Sequence, residues 1–279
     1  LCVSTSLGDL SEMLLAGTKE SHTKLEISQL GRDFYKGIVK KDVLKVCFLL
    51  NCIEALYFIY SAMEDELERN KDHPYIAPIY FPTELYRREA LAQDLQYFYG
   101  VDWEKQKDST TLWVKRIHEV GKKDPGMLVA HCYVRYIGDL SGGHMLNNVA
   151  KKVLRLPATG EGLRFYQFEG ITSHKGFKQL YRSKLNEVDV EMETKLSIVD
   201  EAIRAYDYSL LVSERARCLC RRERHLPQPH TQSAGCCRPG CHPCWLHSVV
   251  FSESSLREEL GVVSLQMEPS CINLVLALY

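Results

Sequence analysis

The sequence predicts an all-α protein, and three observations carry that expectation. Apolar residues recur at helical spacing (i, i+3, i+4, i+7) through most of the first 215 positions. Alternating runs that would mark strands are weak throughout. The strongest turn chemistry is local: a Pro-rich loop, "HPYIAPIYFP", with three prolines in nine residues, and a second loop at Gly160 and Gly162.

The elements follow in order. In "LGDLSEML", Asp9 with Glu12 three residues later reads as a capping box, and Leu7 and Met13 flank it as a staple. The helix it starts runs through His22 and Glu26. A second helix spans about 42–70 and ends in "EDELERN". Its stretch 43–63 is apolar for about the length of a bilayer span. Lys45, Asn51 and Glu54 lie within it and are expensive in hydrocarbon, so it reads as a buried helix. Further helices are expected near 83–99, 109–122, 126–155, 173–186 and 189–215. The C-terminal "INLVLALY" is far too short to span a membrane.

Composition narrows the function classes. The 279 residues carry 35 basic and 36 acidic side chains, so bulk electrostatic capture of nucleic acid is not expected. Four of the 11 cysteines precede residue 218 and the other seven begin with Cys218. The body therefore reads as reduced and intracellular, without a disulfide framework. The start, "LCVSTSLGDL", has neither Met nor a basic region, so no signal peptide is read there. From Arg215 the chain turns basic, Cys- and Pro-rich and loses apolar periodicity. The expected division is a helical domain over 1–215 and a largely disordered tail over 216–279. Within the tail, Cys237, Cys241, Cys244 and His247 have a spacing that a zinc site could use.

The stretch "RYIGDLSGGHML" carries the chemistry. Gly138, Gly142 and Gly143 each cost about 1 kcal/mol relative to Ala inside a helix. Helical spacing puts Arg135, Gly138, Asp139, Gly142, Gly143 and Leu146 on one face. Three readings stand side by side: close helix packing, a kink without function, and a flat ligand lying on bare backbone with Asp139 beside it. Packing explains the acid least well, because a buried carboxylate needs partners. A metal in such a ligand needs a donor on its other face. The body offers His22, His73, His118, His131, His144 and His174. His22 is favoured because Thr18 and Glu26 share its face at i−4 and i+4, and His144 competes.

Five stretches in order, "TKESHTKLE", "ALYFIYSAMEDELERNKDHPYIAPIYFP", "LVAHCYVRYIGDLSGG", "LPATGEG" and "FKQLYRSKLN", resemble the heme oxygenase family. The resemblance covers about residues 7–210, and "ERNKDHP" is most similar to the family's constitutive type 2 branch. It implies a helical fold with heme b sandwiched between the first helix and a Gly-kinked distal helix. It implies His22 as the axial ligand of the heme iron, with Glu26 and Thr18 beside it. Gly138, Gly142 and Gly143 cover the heme, and Tyr133, Lys178 and Arg182 meet its propionates. Asp139, with Arg135 and Tyr60, implies the catalytic proton network. The implied activity is oxidative opening of heme, both substrate and cofactor, at the α-meso carbon to biliverdin, CO and Fe2+. It uses O2 and NADPH electrons delivered by NADPH–cytochrome P450 reductase, with biliverdin reductase as a candidate second partner. The implied place is the cytoplasmic face of the endoplasmic reticulum. No anchor is visible in the sequence, so a soluble form is the other expectation.

Four departures from the family pattern stand out. Leu15 replaces a lysine that would reach a propionate. "KVCFLLNCIEAL" is longer by about five residues, a rotation of roughly 140° that would misdirect Tyr60 unless absorbed in a bulge or loop. His144 stands where Gln is usual, and the match fades after "EAIRAYDYSLLVSE". The alternative function is therefore a heme-binding or heme-sensing protein with impaired turnover.

Overall fold

The structure, a computed structural model, describes residues 8–27, 43–103, 111–153 and 156–225. Among the described residues there is no strand, as expected. The helices are α1 (Leu10–Ile27), α2 (Val43–Arg69), the short α3 (Pro82–Leu85), α4 (Arg88–Tyr99), α5 (Leu112–Lys123), α6 (Leu128–Cys132), α7 (Gly138–Val153), α8 (His174–Asn186) and α9 (Met192–His225).

Helix α1 forms because one stripe of it is buried: Leu10, Leu14, Thr18, Ser21 and Leu25, at spacings of three and four. That stripe packs on α9 and α8. A Cβ on Gly17 would lie 2.4 Å from Cγ1 of Val199, so the glycine is what lets α1 and α9 approach so closely. The capping box expected at Asp9 and Glu12 does not hold the first turn. The Ser11 amide instead donates to Oδ1 of Asn186 at 3.0 Å, a tertiary cap from the end of α8.

Helix α2 runs unbroken for 27 residues. It buries Leu50, Ile53, Leu56, Ile59, Met63 and Leu67 against α4, α5 and α9. No bulge interrupts it, so the extra residues expected within it are not absorbed between Val43 and Arg69. None of the described helices is long and apolar enough to cross a membrane. At its C-terminal end the buried Glu64 accepts the backbone amides of Arg87 (2.5 Å) and Arg88 (3.1 Å), capping α4.

Thr111 caps α5 by accepting the Val114 amide at 3.2 Å, and Ser173 caps α8 through the Gly176 amide, also at 3.2 Å. Between α7 and α8 the chain turns at Gly160 (φ +94°) and Gly162 (φ +79°), where only glycine is at ease. A 3-10 turn follows at Arg164–Tyr166. Both oxygens of the buried Asp94 accept its amides, from Arg164 at 2.8 Å and Phe165 at 2.9 Å.

The last helix is the spine of the molecule: α9 packs against α1, α2, α5 and α6. It continues to His225, ten residues past the position where composition changes. The zinc-spaced Cys237, Cys241, Cys244 and His247 lie outside the described residues.

Candidate functional site

The segment expected as one helix over 126–155 is assembled from pieces. A 3-10 turn at Pro125–Met127 leads into α6, and a π-helical turn at Tyr133–Ile137 joins α6 to α7. Such a turn inserts one extra residue and re-aims the side chains around it. The departure from α geometry therefore lies directly before Gly138, while Gly138, Gly142 and Gly143 sit in regular helix. At Gly143 close packing is part of the reason for the glycine, since a Cβ there would come within 3.3 Å of Cδ1 of Tyr166.

The π turn carries Arg135 and the first turn of α7 carries Asp139. Nη2 of Arg135 donates to Oδ1 of Asp139 at 2.8 Å, and the Tyr60 hydroxyl donates to Oδ2. Nε of Arg135 also donates to the Tyr60 oxygen at 3.3 Å. All three side chains are buried, none more than 1% exposed. Burial pushes the Asp139 carboxyl well above the usual carboxylate range. The same burial lowers Arg135 to about 10, which still leaves it charged at neutral pH; the phenols of Tyr206 and Tyr166 act in the opposite sense. Tyr60 is fixed by the rings of Tyr136 (centroids 5.8 Å apart) and Phe165 (5.7 Å). The three residues expected to form the proton network are thus one hydrogen-bonded cluster, and Tyr60 faces Asp139 despite the lengthened helix.

His22 lies half-buried on α1, and burial lowers its pKa, favouring the neutral imidazole that can act as a metal ligand. Its ring meets Tyr206 of α9 edge-on, with centroids 6.1 Å apart. Tyr206 is also close enough to act on Arg135, so α9 presents one residue to both expected halves of the site. Thr18, one turn before His22, is buried and donates to the Leu14 carbonyl at 2.7 Å. The side chains of Glu26 and His144 lie outside the described residues.

The remaining histidines have other work. Nδ1 of the fully buried His131 accepts the Trp113 indole N–H at 3.0 Å, and its Nε2 faces Oε1 of Glu201 at 3.2 Å. Nδ1 of His118 pairs with Oε1 of Glu66 at 2.6 Å. Nδ1 of His73 accepts the Tyr75 amide at 3.2 Å, and the His174 ring packs on Phe168.

Lys178 and Arg182 are one turn apart on α8. Nζ of Lys178 donates to the Ser141 hydroxyl of α7 at 3.0 Å. Burial lowers the Lys178 pKa, and the neighbouring Arg182 charge lowers it further. Among the described residues neither cation has a carboxylate partner, and Nε of Arg182 has no hydrogen-bond partner. Tyr133 is buried with its phenol in the field of Arg182 and Glu12. Leu15 is 49% exposed and adds no charge. Two uncompensated cations beside a buried phenol form an edge suited to carboxylates.

Residues 8–214 match the family model described as heme oxygenase. The chain belongs to the heme oxygenase family. Heme oxygenase 2 of Rattus norvegicus is 49% identical over 211 residues, which is 75% of this chain and 65% of that protein. Human heme oxygenase 1 is 46% identical over 201 residues, 71% of this chain and 68% of that protein. The chain thus spans about two thirds of the length of these relatives. Among solved structures, the heme complex of a Synechocystis heme oxygenase-1 superposes with a TM-score of 0.70 at 36% identity. It covers 77% of this chain and 95% of that one, and the all-α heme oxygenase fold follows.

Two neighbours of the cluster, Tyr166 and Tyr206, were not among the expected site residues. Tyr166 stands in "RFYQF" after a glycine loop, and nothing local distinguishes it from an ordinary core aromatic. Tyr206 sits at helical spacing in α9 and has no motif around it.

Proposed function

We propose that this protein is a heme-degrading monooxygenase that converts heme to biliverdin, CO and Fe2+. It would use O2 and electrons passed from NADPH through NADPH–cytochrome P450 reductase. The observation that carries the reading is the buried cluster of Tyr60, Asp139 and Arg135 at the head of the glycine-bearing helix. A carboxyl so fully buried is costly to a fold, and a proton-handling role accounts for it where packing does not.

The residues present fit the group. His22 offers a neutral imidazole to the iron, with Glu26 expected to orient it. Thr18 spends its hydroxyl within α1, so its part is to shape the face beside His22. Lys178, Arg182 and Tyr133 would hold the propionates, with Lys178 exchanging the Ser141 hydroxyl for a carboxylate. Gly138, Gly142 and Gly143 keep side chains off the ring. Heme itself supplies the iron that activates O2 and the ring that is opened. Asp139 takes up or releases a proton at its carboxyl oxygens, Tyr60 fixes Oδ2, and the charged Arg135 fixes Oδ1. Leu15 adds no cation, so the α8 pair and Tyr133 would be the residues that hold the propionates. Biliverdin reductase is the candidate partner that would take the product. The expected boundary at 215 falls inside α9, so the catalytic unit would extend to the end of that helix at His225, with the tail beyond it.

The test is an absorbance time course of the heme-loaded protein with NADPH and the reductase. Loss of the Soret band with growth of biliverdin absorbance is expected. A Soret band that persists would overturn turnover and favour a heme-binding or sensing protein on the same scaffold.

A further inference from the structure

The Tyr166 phenol is buried, and its hydroxyl has no hydrogen-bond partner among the described residues. An unsatisfied buried donor is uncommon and costs free energy wherever it occurs. Titratable groups surround it from several elements: Asp139 from α7, Arg135 from the π turn, Asp94 from α4 and Cys52 from α2. Burial raises its pKa well above the ordinary phenol value, so it keeps its proton as a donor.

The ring is not free to turn away. The 3-10 turn that bears it is pinned by both oxygens of Asp94. Nη1 of Arg87 donates to the Gln167 carbonyl at 2.6 Å, and its guanidinium lies 4.1 Å from the Phe168 ring centroid. On the other side Phe165 packs edge-on against both Tyr60 and Tyr166. The bare backbone of Gly143 completes the seat, because a Cβ would crowd Cδ1 of Tyr166. The fold thus holds a lone proton donor in place beside the Asp139 cluster.

We propose that Tyr166 is a positioning residue of this site, donating its hydroxyl proton to a water that bridges to Asp139 once heme is bound. The inference rests on the heme oxygenase reading above. Acting through that water, Tyr166 stabilises the deprotonated form of the distal side and helps fix the proton path that ends at Asp139.

The experiment uses the full chain, wild type and Tyr166→Phe, with two readouts. In the heme-free protein the substitution removes an unpartnered hydroxyl, so the melting temperature is expected to stay level or rise. In the ferric heme complex the acid–alkaline transition, followed by absorbance, is expected to move upward by about half a pH unit or more. In an Asp139→Ala background the same substitution is expected to add no further shift, because the acceptor of the bridge is already gone. A lowered melting temperature would show that the hydroxyl has a partner without heme and would overturn the proposal. An unmoved midpoint, or an equal shift in both backgrounds, would also overturn it. Failure of the wild type to bind heme is a separate result, and it would remove the heme oxygenase reading itself.

Discussion

Two buried acids in this molecule face opposite outcomes. Glu201 of α9 is 3% exposed in its side chain and Asp139 of α7 only 1%. Burial alone would raise both. At Glu201 that effect is overcome by Nε and Nη2 of Arg116, at 2.9 and 2.8 Å, and by His131, so its pKa is held down to about 2. At Asp139 a single nitrogen of Arg135 and the Tyr60 hydroxyl do not offset burial, and its carboxyl is pushed up. The paired fork of a bidentate arginine makes a permanent anion. One arginine nitrogen and a phenol at a buried site leave a carboxyl that can exchange its proton. The first arrangement ties α5, α6 and α9 together; the second suits chemistry.

The comparison breaks most visibly at Glu201. Glu201→Ala would leave Arg116 and the buried His131 without their acid, and a loss of about 3–5 kcal/mol in unfolding free energy is expected. A urea titration checks this, and a change below about 1 kcal/mol would place Glu201 outside the group of structural anchors.

Glu64 tests the same logic between the extremes. Burial raises its pKa to about 7, although two backbone amides favour its charge. Its folded pKa lies above its ordinary value of 4.5, so the folded state binds more protons than the unfolded state between pH 4.5 and 7. Its contribution to stability is therefore fully present below about pH 4.5 and is lost as pH rises toward 7. Glu64→Gln keeps an acceptor for both amides and removes the titration. The variant should gain on the wild type by about 3 kcal/mol across that window. A pH-independent difference between the two unfolding curves would contradict the assignment.

Tyr60→Phe is expected to have the smallest effect on stability, about 1–2 kcal/mol for the hydrogen bonds it makes with Asp139 and Arg135. It should slow biliverdin formation while heme affinity stays within about twofold. Unchanged turnover would detach Tyr60 from the Asp139 cluster.

Much of the fold was legible because α1, α2, α4, α5, α8 and α9 each carry apolar residues at helical spacing, and apart from the start of α4 and the end of α9 they begin and end close to the expected positions. What was not legible is long-range or subtle. The Ser11–Asn186 cap joins residues 175 apart, so no local pattern could have displaced the capping box. The π turn at Tyr133–Ile137 contains neither Pro nor Gly to announce it. Composition suggested an end near 215, yet "RARCLCRRERH" is rich in residues that favour helix, and α9 runs on to His225. The site shows the same division. The glycines and Asp139 were visible as an odd pattern in one helix, whereas Tyr166 owes its position to Asp94 and Arg87 and to a loop that reads as ordinary.

The most direct test of the central claim compares wild type with Asp139→Asn, each loaded with heme and supplied with NADPH and the reductase. Asparagine keeps the shape and one acceptor but cannot exchange the carboxyl proton. Heme retention with biliverdin formation slowed by about a hundredfold or more is the predicted result. Biliverdin formed at the wild-type rate would contradict the account, because the buried acid would then have no part in the chemistry.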